Sequence, residues 1–225
     1  MWQALRSELH PQGLDIVTVS LDTNLEAARR HIEQAQPEHP SLIDQGHAVD
    51  ALFGIVNVPS GVWIDEEGTI VRPPETAWAQ RRPPREIPST ATPRQVAVMT
   101  EARKIRYEPE KYVAALRDWV ASGRESRFAL SPDEVVRRSR PRPVEEAMAA
   151  AHFEFGQHFY LAGRIDDAVR HFRRTHDLQP DNWTYRRQAW SLADPTQGPT
   201  PLYASDWLTD VLKIGAENYY PPLDM

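Results

Sequence analysis

One eight-residue run constrains the fold of this chain more than any other feature. Residues 14–21, Leu-Asp-Ile-Val-Thr-Val-Ser-Leu, are mostly apolar and rich in β-branched side chains, which favours a strand covered on both faces, as in a parallel sheet. Apolar side chains at helical spacing precede the run at Trp2, Leu5 and Leu9, and a capped helical pattern follows it over residues 25–32. The sequence therefore predicts an α/β domain that starts with a helix, a buried strand and a second helix.

A hairpin and a proline-rich stretch follow. Residues 62–65 and 69–72 have the pattern of two strands joined by a short acidic turn. Six prolines among residues 73–93 predict an irregular, solvent-facing insertion, which we place at residues 73–108. An amphipathic helix at residues 110–122 then resumes the regular structure.

The C-terminal part of the sequence is predicted to be helical, with breaks at Gly163 and Pro180. Its last residues carry another helical pattern and two tyrosines, and we expect this tail to dock on a neighbouring part of the protein. The predicted division of the chain is an α/β domain at 1–123, a basic linker at 124–142, a helical unit at 143–193 and a docking tail at 194–225.

Charge argues against nucleic acid as a partner. The chain has 26 Lys and Arg against 32 Asp and Glu, a net charge of −6, whereas nucleic-acid binding calls for a basic surface. Only residues 73–142 are basic, with 15 basic and 9 acidic side chains. This segment is suited to an acidic partner, or to contact with the acidic ends of its own chain.

Several chemistries lack the residues that they need. The sequence contains no cysteine, which excludes disulfides, Cys-ligated zinc and a thiol nucleophile from the chain as given. His152 and His158 are six residues apart, and His171 and His176 are five apart, so neither pair has the i, i+3 or i, i+4 spacing of helical metal ligands. We expect no metal, no cofactor and no catalytic residue. With no secretory signal and no apolar run near 20 residues, the sequence also predicts a cytoplasmic protein without membrane contact.

Three segments in order, residues 13–22, 53–59 and 63–71, resemble the thioredoxin-like redoxins, especially the TlpA-type thiol-disulfide oxidoreductases and related AhpC/TSA proteins. The resemblance implies a thioredoxin-like fold with a cis peptide bond between Val58 and Pro59. In that family the main chain of this loop pairs with an extended substrate peptide. Val58 and Pro59 are therefore the substrate-binding positions that the resemblance implies.

The chain departs from the redoxin pattern at its first residues. The family carries a Cys-x-x-Cys motif after a central strand, at the start of the first long helix, but Met1 already falls within that helix. The fold is therefore expected to be an incomplete thioredoxin-like fold, with a gap between the strand at 14–21 and the hairpin. Three alternatives follow: the chain is a truncation of a longer protein, or residues 95–99 fill the gap, or the fold is degenerate, open or completed by a partner.

A second resemblance begins at Ala149. Six residues match a 34-residue tetratricopeptide (TPR) unit at positions 8, 11, 15, 20, 24 and 32, namely Gly156, Phe159, Gly163, Ala168, Phe172 and Pro180. The small residues let two antiparallel helices approach each other. The resemblance implies a peptide-binding face on the first helix, with Phe153, Gln157 and Tyr160. The alternative is that this face packs on the redoxin-like domain or on the tail.

Together these features predict an α/β, thioredoxin-like domain followed by an all-α, TPR-like unit. The function that they suggest is non-catalytic: the chain binds a protein or peptide, or acts as a scaffold, in redox-related protein handling. The alternative is a thiol-disulfide oxidoreductase or antioxidant protein whose catalytic cysteines lie upstream of Met1.

Overall fold

The computed structural model describes residues 2–225 and has a mixed α/β architecture. Its four strands are β1 (Thr18–Leu21), β2 (Ser41–Asp44), β3 (Ser60–Ile64) and β4 (Ile70–Thr76). Its ten α-helices are α1 (Trp2–Leu9), α2 (Leu25–Ala35), α3 (Ala48–Phe53), α4 (Pro93–Ala102), α5 (Pro109–Ser122), α6 (Pro132–Ser139), α7 (Val144–Leu161), α8 (Ile165–Leu178), α9 (Trp183–Ala193) and α10 (Trp207–Ile214). The predicted α/β class is confirmed in this coarse sense.

The four strands form two separate sheets. β1 pairs with β2 in parallel, and β3 pairs with β4 in an antiparallel hairpin. Among residues 2–225 no pairing joins the two sheets. A gap between the first strand and the hairpin is what the sequence predicts for a fold that lacks a central strand.

The prediction of a first strand covered on both faces is wrong. β1 is shorter than the predicted run, and Val17 just before it is 56% exposed. Leu42 on β2 is 55% exposed. Val19 lies opposite Leu42, and because alternate residues share a face, Val17 lies on that side as well. A sheet of two strands with nothing packed over this face leaves it open to solvent.

Residues 95–99, the predicted candidate for filling the gap, form part of helix α4 instead of a strand. The local sequence explains this outcome. Thr92 caps the helix and forms a reciprocal capping box with Gln95, while Pro93 occupies the first helical turn, where a proline is tolerated because its missing N–H is not needed. These helix-start signals decide the conformation in favour of α4, and the gap stays open.

The predicted hairpin is confirmed, but its second strand continues into the proline-rich stretch as far as Thr76. The pairing of Gly61 with Glu75 and of Trp63 with Arg72 leaves an extra residue on β4, so Pro73 and Pro74 fall at a bulge where ladder hydrogen bonds are interrupted. The linker reaches back to this strand: the N–H of Leu130 donates to the carbonyl of Val71 on β4 at 2.9 Å. The basic linker is therefore attached to the hairpin.

Two apolar cores hold the molecule together. One lies among α7, α8, α9 and the tail and is rich in aromatic side chains, with Trp190 and Phe172 almost inaccessible to solvent. The other joins α1, the hairpin and α5 around Trp63 and Tyr112. Neither core includes β1, α2 or β2: between residues 14 and 46, Ala28 is the only buried side chain.

Candidate functional site

The loop around Val58 and Pro59 is already paired with the chain itself. The bond between the two residues is cis, which confirms the prediction. The N–H of Val58 donates to the side chain of Asn57 at 2.9 Å, and its carbonyl accepts from the hydroxyl of Tyr220 at 2.8 Å. The carbonyl of Pro59 accepts from the N–H of Ala77 at 3.0 Å. The main-chain groups expected to receive a substrate peptide therefore have internal partners.

The C-terminal tail supplies one of these partners and is fixed at several points. The Asn57 amide donates to the carbonyl of Tyr219 at 3.1 Å, and Lys111 donates to the carbonyl of Leu223 at 2.6 Å. Arg72, itself buried, donates to the carbonyl of Asp224. Burial also raises the pKa of the Tyr220 hydroxyl. A peptide that pairs with Val58 has to displace this tail.

The predicted TPR-like face is also occupied. Phe153 is 2% exposed and stacks on Tyr185 with ring centroids 4.2 Å apart. The Gln157 amide donates to the carbonyl of Gln45 at 3.1 Å, and Tyr160 is half-buried against the aromatic core. The sequence predicts that this face either binds a peptide or packs on another part of the chain. In the structure it packs on the α/β part. Phe153 and Gln157 are thus not open to a partner.

The predicted TPR-like face borders a buried polar junction between the start of α3 and helix α9, where the ring of His47 lies 4.9 Å from that of Phe153. Nδ1 of His47 lies 2.9 Å from the Asp50 carboxylate, and its Nε2 lies 3.3 Å from the side-chain oxygen of Gln188. Gln188 in turn donates to the Thr23 hydroxyl at 2.8 Å. His47 and Asp50 are 3% and 1% exposed. The pair holds the two parts of the chain together and is not accessible to a substrate.

An open apolar surface lies instead on the outer side of α7. We call it the α7 stripe; it consists of Val144, Met148, His152, Phe155 and Phe159, which follow one another at steps of three or four residues and so share a helix face. Val144, Met148 and Phe155 are 69%, 42% and 53% exposed. The apolar spacing of these residues is visible in the sequence, but their exposure is not, because it depends on which elements pack against α7.

Histidines of α7 and α8 meet beside the α7 stripe. Nδ1 of His152 and Nδ1 of His171 are 2.9 Å apart, and the His171 ring lies against Phe155 and Phe159. Burial lowers the pKa of His171, and the neighbouring His152 and Arg170 lower it further. Among residues 2–225 no group of three or more His, Asp or Glu side chains is arranged to hold a metal ion.

A second open surface is the free side of β1. The N–H of Thr18 donates to the carbonyl of Pro40 on the β2 side. Because the main-chain groups of a strand alternate in direction, those of Thr18 and Ser20 face β2, whereas those of Val19 and Leu21 face away from it. We call this unpaired side the β1 edge.

A cleft of about 350 Å³ lies beside β1 and helix α2. Its apolar lining comes from Trp2, Ala28, Ile32, Ala35 and Pro37, and its polar lining from Gln3, Thr18, Ser20, Asp22, His31, His39 and Ser41. Nδ1 of His39 is buried without a hydrogen-bond partner, and burial lowers the pKa of this side chain.

A cavity of about 730 Å³ lies between α8, α9 and α10. Among its charged groups, Asp210 binds both Arg186 and Lys213, and Arg173 donates to the carbonyl of Leu202 at 2.7 Å. Burial lowers the pKa of His176 in its wall to about 3, and the nearby Arg186 adds to the effect.

Comparisons of the chain with protein-family models, with curated proteins and with solved structures gave no match. The likenesses to redoxins and to TPR units therefore rest on the residues quoted above. No helix within residues 2–225 combines the length and the apolar character needed to cross a bilayer.

Proposed function

We propose that this chain is a non-catalytic protein-binding module that combines a redoxin-like α/β part with a TPR-like helical unit. The observation that carries the proposal is the open α7 stripe. The link to redox-related protein handling comes from the redoxin resemblance alone. Because the chain has no cysteine, it brings no thiol to that process, and its contribution is binding.

The position of the α7 stripe supports a protein ligand. A helix pair of the TPR type cannot cover its apolar surfaces alone and normally packs between neighbours. Here α9 and the tail cover one side of the α7–α8 pair, where Phe172 and Val169 are buried. The other side has no such neighbour among residues 2–225. Large apolar side chains contribute about 1.5–3 kcal/mol each when fully buried, so covering Val144, Met148 and Phe155 is a substantial driving force for association.

A photo-crosslinking experiment tests the proposal. A benzophenone amino acid placed at Phe155 should crosslink in cells to a defined protein, and the additional substitution Met148→Asp should abolish that product. The matched control places the same group at Leu52, which is 81% exposed and lies on α3, away from the stripe. The identified partner should then bind the purified chain with a negative heat-capacity change, as burial of apolar surface requires. Equal products from both positions would overturn the proposal.

The gap between the two sheets favours a second candidate, a thiol-disulfide oxidoreductase or antioxidant protein whose cysteines precede residue 1. In that reaction a thiolate attacks a substrate disulfide and forms a mixed disulfide, and Val58 and Pro59 hold the substrate peptide, as the redoxin resemblance implies. An in-frame upstream segment that encodes a strand followed by Trp-Cys-x-x-Cys would support this candidate. The 225-residue chain itself should show no disulfide-reducing turnover, and measurable turnover would contradict both candidates as stated.

A further inference from the structure

We propose that the β1 edge binds an extended segment of a partner protein, which adds to the β1–β2 sheet as a third strand and carries basic residues on both sides of a short apolar stretch. This inference deepens the proposed protein-binding function by assigning a second surface and the chemistry of its ligand. It uses none of the residues of the α7 stripe.

The backbone supplies the first argument. The N–H and carbonyl groups of Val19 and Leu21 point away from β2, and within residues 2–225 neither residue has a hydrogen-bond partner on that side. An unpaired strand edge is a ready template for another strand. Strand addition satisfies these groups through main-chain hydrogen bonds, while pockets beside the edge select the side chains.

The side chains on the two faces of the sheet supply the second argument. On one face the cleft presents Ala28 and Ile32 of α2 together with Trp2. On the other face Val17 and Leu42 are more than half exposed. Because successive side chains of a strand point to opposite faces, an added strand with apolar residues in its centre places some in the cleft and the others against Val17 and Leu42.

The charges around β1 select the ends of the ligand. Asp15 precedes β1, with its carboxylate 84% exposed and its Oδ1 3.0 Å from His10. Asp22 follows β1 directly and lines the cleft. Residues 1–46 contain 3 Lys and Arg against 7 Asp and Glu. A strand with basic residues flanking its apolar centre therefore meets a carboxylate at each end.

The same charges argue against a second copy of this chain as the occupant. Pairing two β1 edges brings together two copies of residues 1–46, each with 3 basic and 7 acidic side chains, and repulsion between like charges opposes that association. The basic stretch around Arg81 and Arg82 of another copy is also unsuitable, because prolines at positions 83, 84 and 88 interrupt it and cannot donate main-chain hydrogen bonds to a strand. The charges thus favour an occupant from outside these 225 residues that carries basic side chains at both ends.

The test uses the purified 225-residue chain and a labelled peptide, acetyl-Lys-Lys-Thr-Val-Val-Thr-Lys-Lys-amide, at low salt, in which the two adjacent valines point to opposite faces of the added strand. Fluorescence polarisation measures its binding, and amide hydrogen exchange measures protection of Val19 and Leu21. Two matched peptides serve as controls, one N-methylated at both valines and one with Glu in place of every Lys. We expect at least tenfold weaker binding of each control peptide and at least tenfold slower exchange of the two amides with the parent peptide.

Variants of the chain locate the binding. Val19→Pro removes an N–H on the β1 edge but none that pairs with β2, and it should abolish binding. Because that change could also disturb folding, the double variant Asp15→Asn, Asp22→Asn provides a milder test: it keeps the size of both side chains and should weaken the Lys peptide several-fold while leaving thermal unfolding unchanged.

Equal binding of the N-methylated peptide, or unchanged exchange at Val19 and Leu21, would overturn the strand-addition proposal. Undiminished binding by the double Asn variant would overturn the assigned charge preference. If Phe155→Asp abolishes peptide binding, the peptide binds at the α7 stripe and not at the β1 edge. That result would also overturn the strand-addition proposal. If the β1 edge fails these tests while crosslinking through Phe155 succeeds, the proposed protein-binding function stands without this second surface.

Discussion

The helical unit and the β1–α2–β2 unit bury their side chains to very different extents. In the helical unit, Trp190, Phe172 and Phe153 are 0%, 1% and 2% exposed. In residues 14–46, which contain two strands and a helix, only Ala28 is buried. The comparison teaches that correct local structure does not by itself produce a core. A strand needs cover on its apolar faces, and β1 has helix α2 on one face and solvent on the other.

The difference has a cause in the sequence. Helices α7, α8 and α9 each carry aromatic side chains that meet between them, and Gly156 lets α7 and α8 approach closely. The β1–α2–β2 unit instead distributes its apolar side chains over both faces of a two-stranded sheet. Because local stability follows local burial, we expect the two regions to respond differently to substitution, pH and hydrogen exchange.

The largest expected effect is in the aromatic core of the helical unit. Trp190→Ala removes a completely buried side chain and should lower the free energy of unfolding by about 3–5 kcal/mol, because both burial and packing are lost. Chemical denaturation monitored by circular dichroism measures this change. A loss below about 1 kcal/mol would contradict the account of this core.

The close approach of α7 and α8 gives the next effect. A Cβ added at Gly156 would lie 2.6 Å from the Phe172 ring, so Gly156→Ala should cost about 1–3 kcal/mol through overpacking. The double variant Gly156→Ala, Phe172→Leu should cost less than the sum of the two single variants, since the smaller side chain makes room. Strict additivity in denaturation experiments would show that the two positions do not meet.

The buried imidazole of His176 should make stability depend on pH. Burial lowers its pKa in the folded chain to about 3, whereas an unfolded histidine titrates near 6.5. The unfolded chain therefore binds the proton first, and stability falls as the pH drops from 6.5 towards 3, by at most about 1.4 kcal/mol per pH unit. His176→Phe should remove this contribution from the slope. The core variant Val211→Ala, which carries no titrating group, should shift the stability curve without changing its slope.

The smallest effect belongs to the open sheet. Leu42 is 55% exposed, so Leu42→Thr, which introduces a β-branched side chain suited to a strand, should change the free energy of unfolding by less than about 0.5 kcal/mol. A loss of 2 kcal/mol or more would mean that this face is covered in solution. That result would erase the contrast between the two regions.

Much of the local structure could be predicted from the sequence because its signals are local. Caps and apolar spacing placed α2, α5 and the helical unit, and the acidic turn placed the hairpin. The capping box of Thr92 and Gln95 is also visible in the sequence, and it favours helix α4 over a strand at residues 95–99. The exposed faces of β1 and α7 could not be predicted, since exposure depends on which distant elements pack there. The packing of Phe153 against His47 is one of the two alternatives that the sequence leaves open, and only the structure decides between them.

Amide hydrogen exchange tests the contrast between the two regions most directly. On the purified chain alone, the amides of Val19 and Leu21 should exchange at rates close to those of an unstructured peptide, because no strand pairs with them. The amides in the middle of α8 should be protected by several orders of magnitude, up to the free energy of global unfolding. Protection of Val19 and Leu21 equal to that of α8 would show that the β1 edge is already paired and would contradict the account.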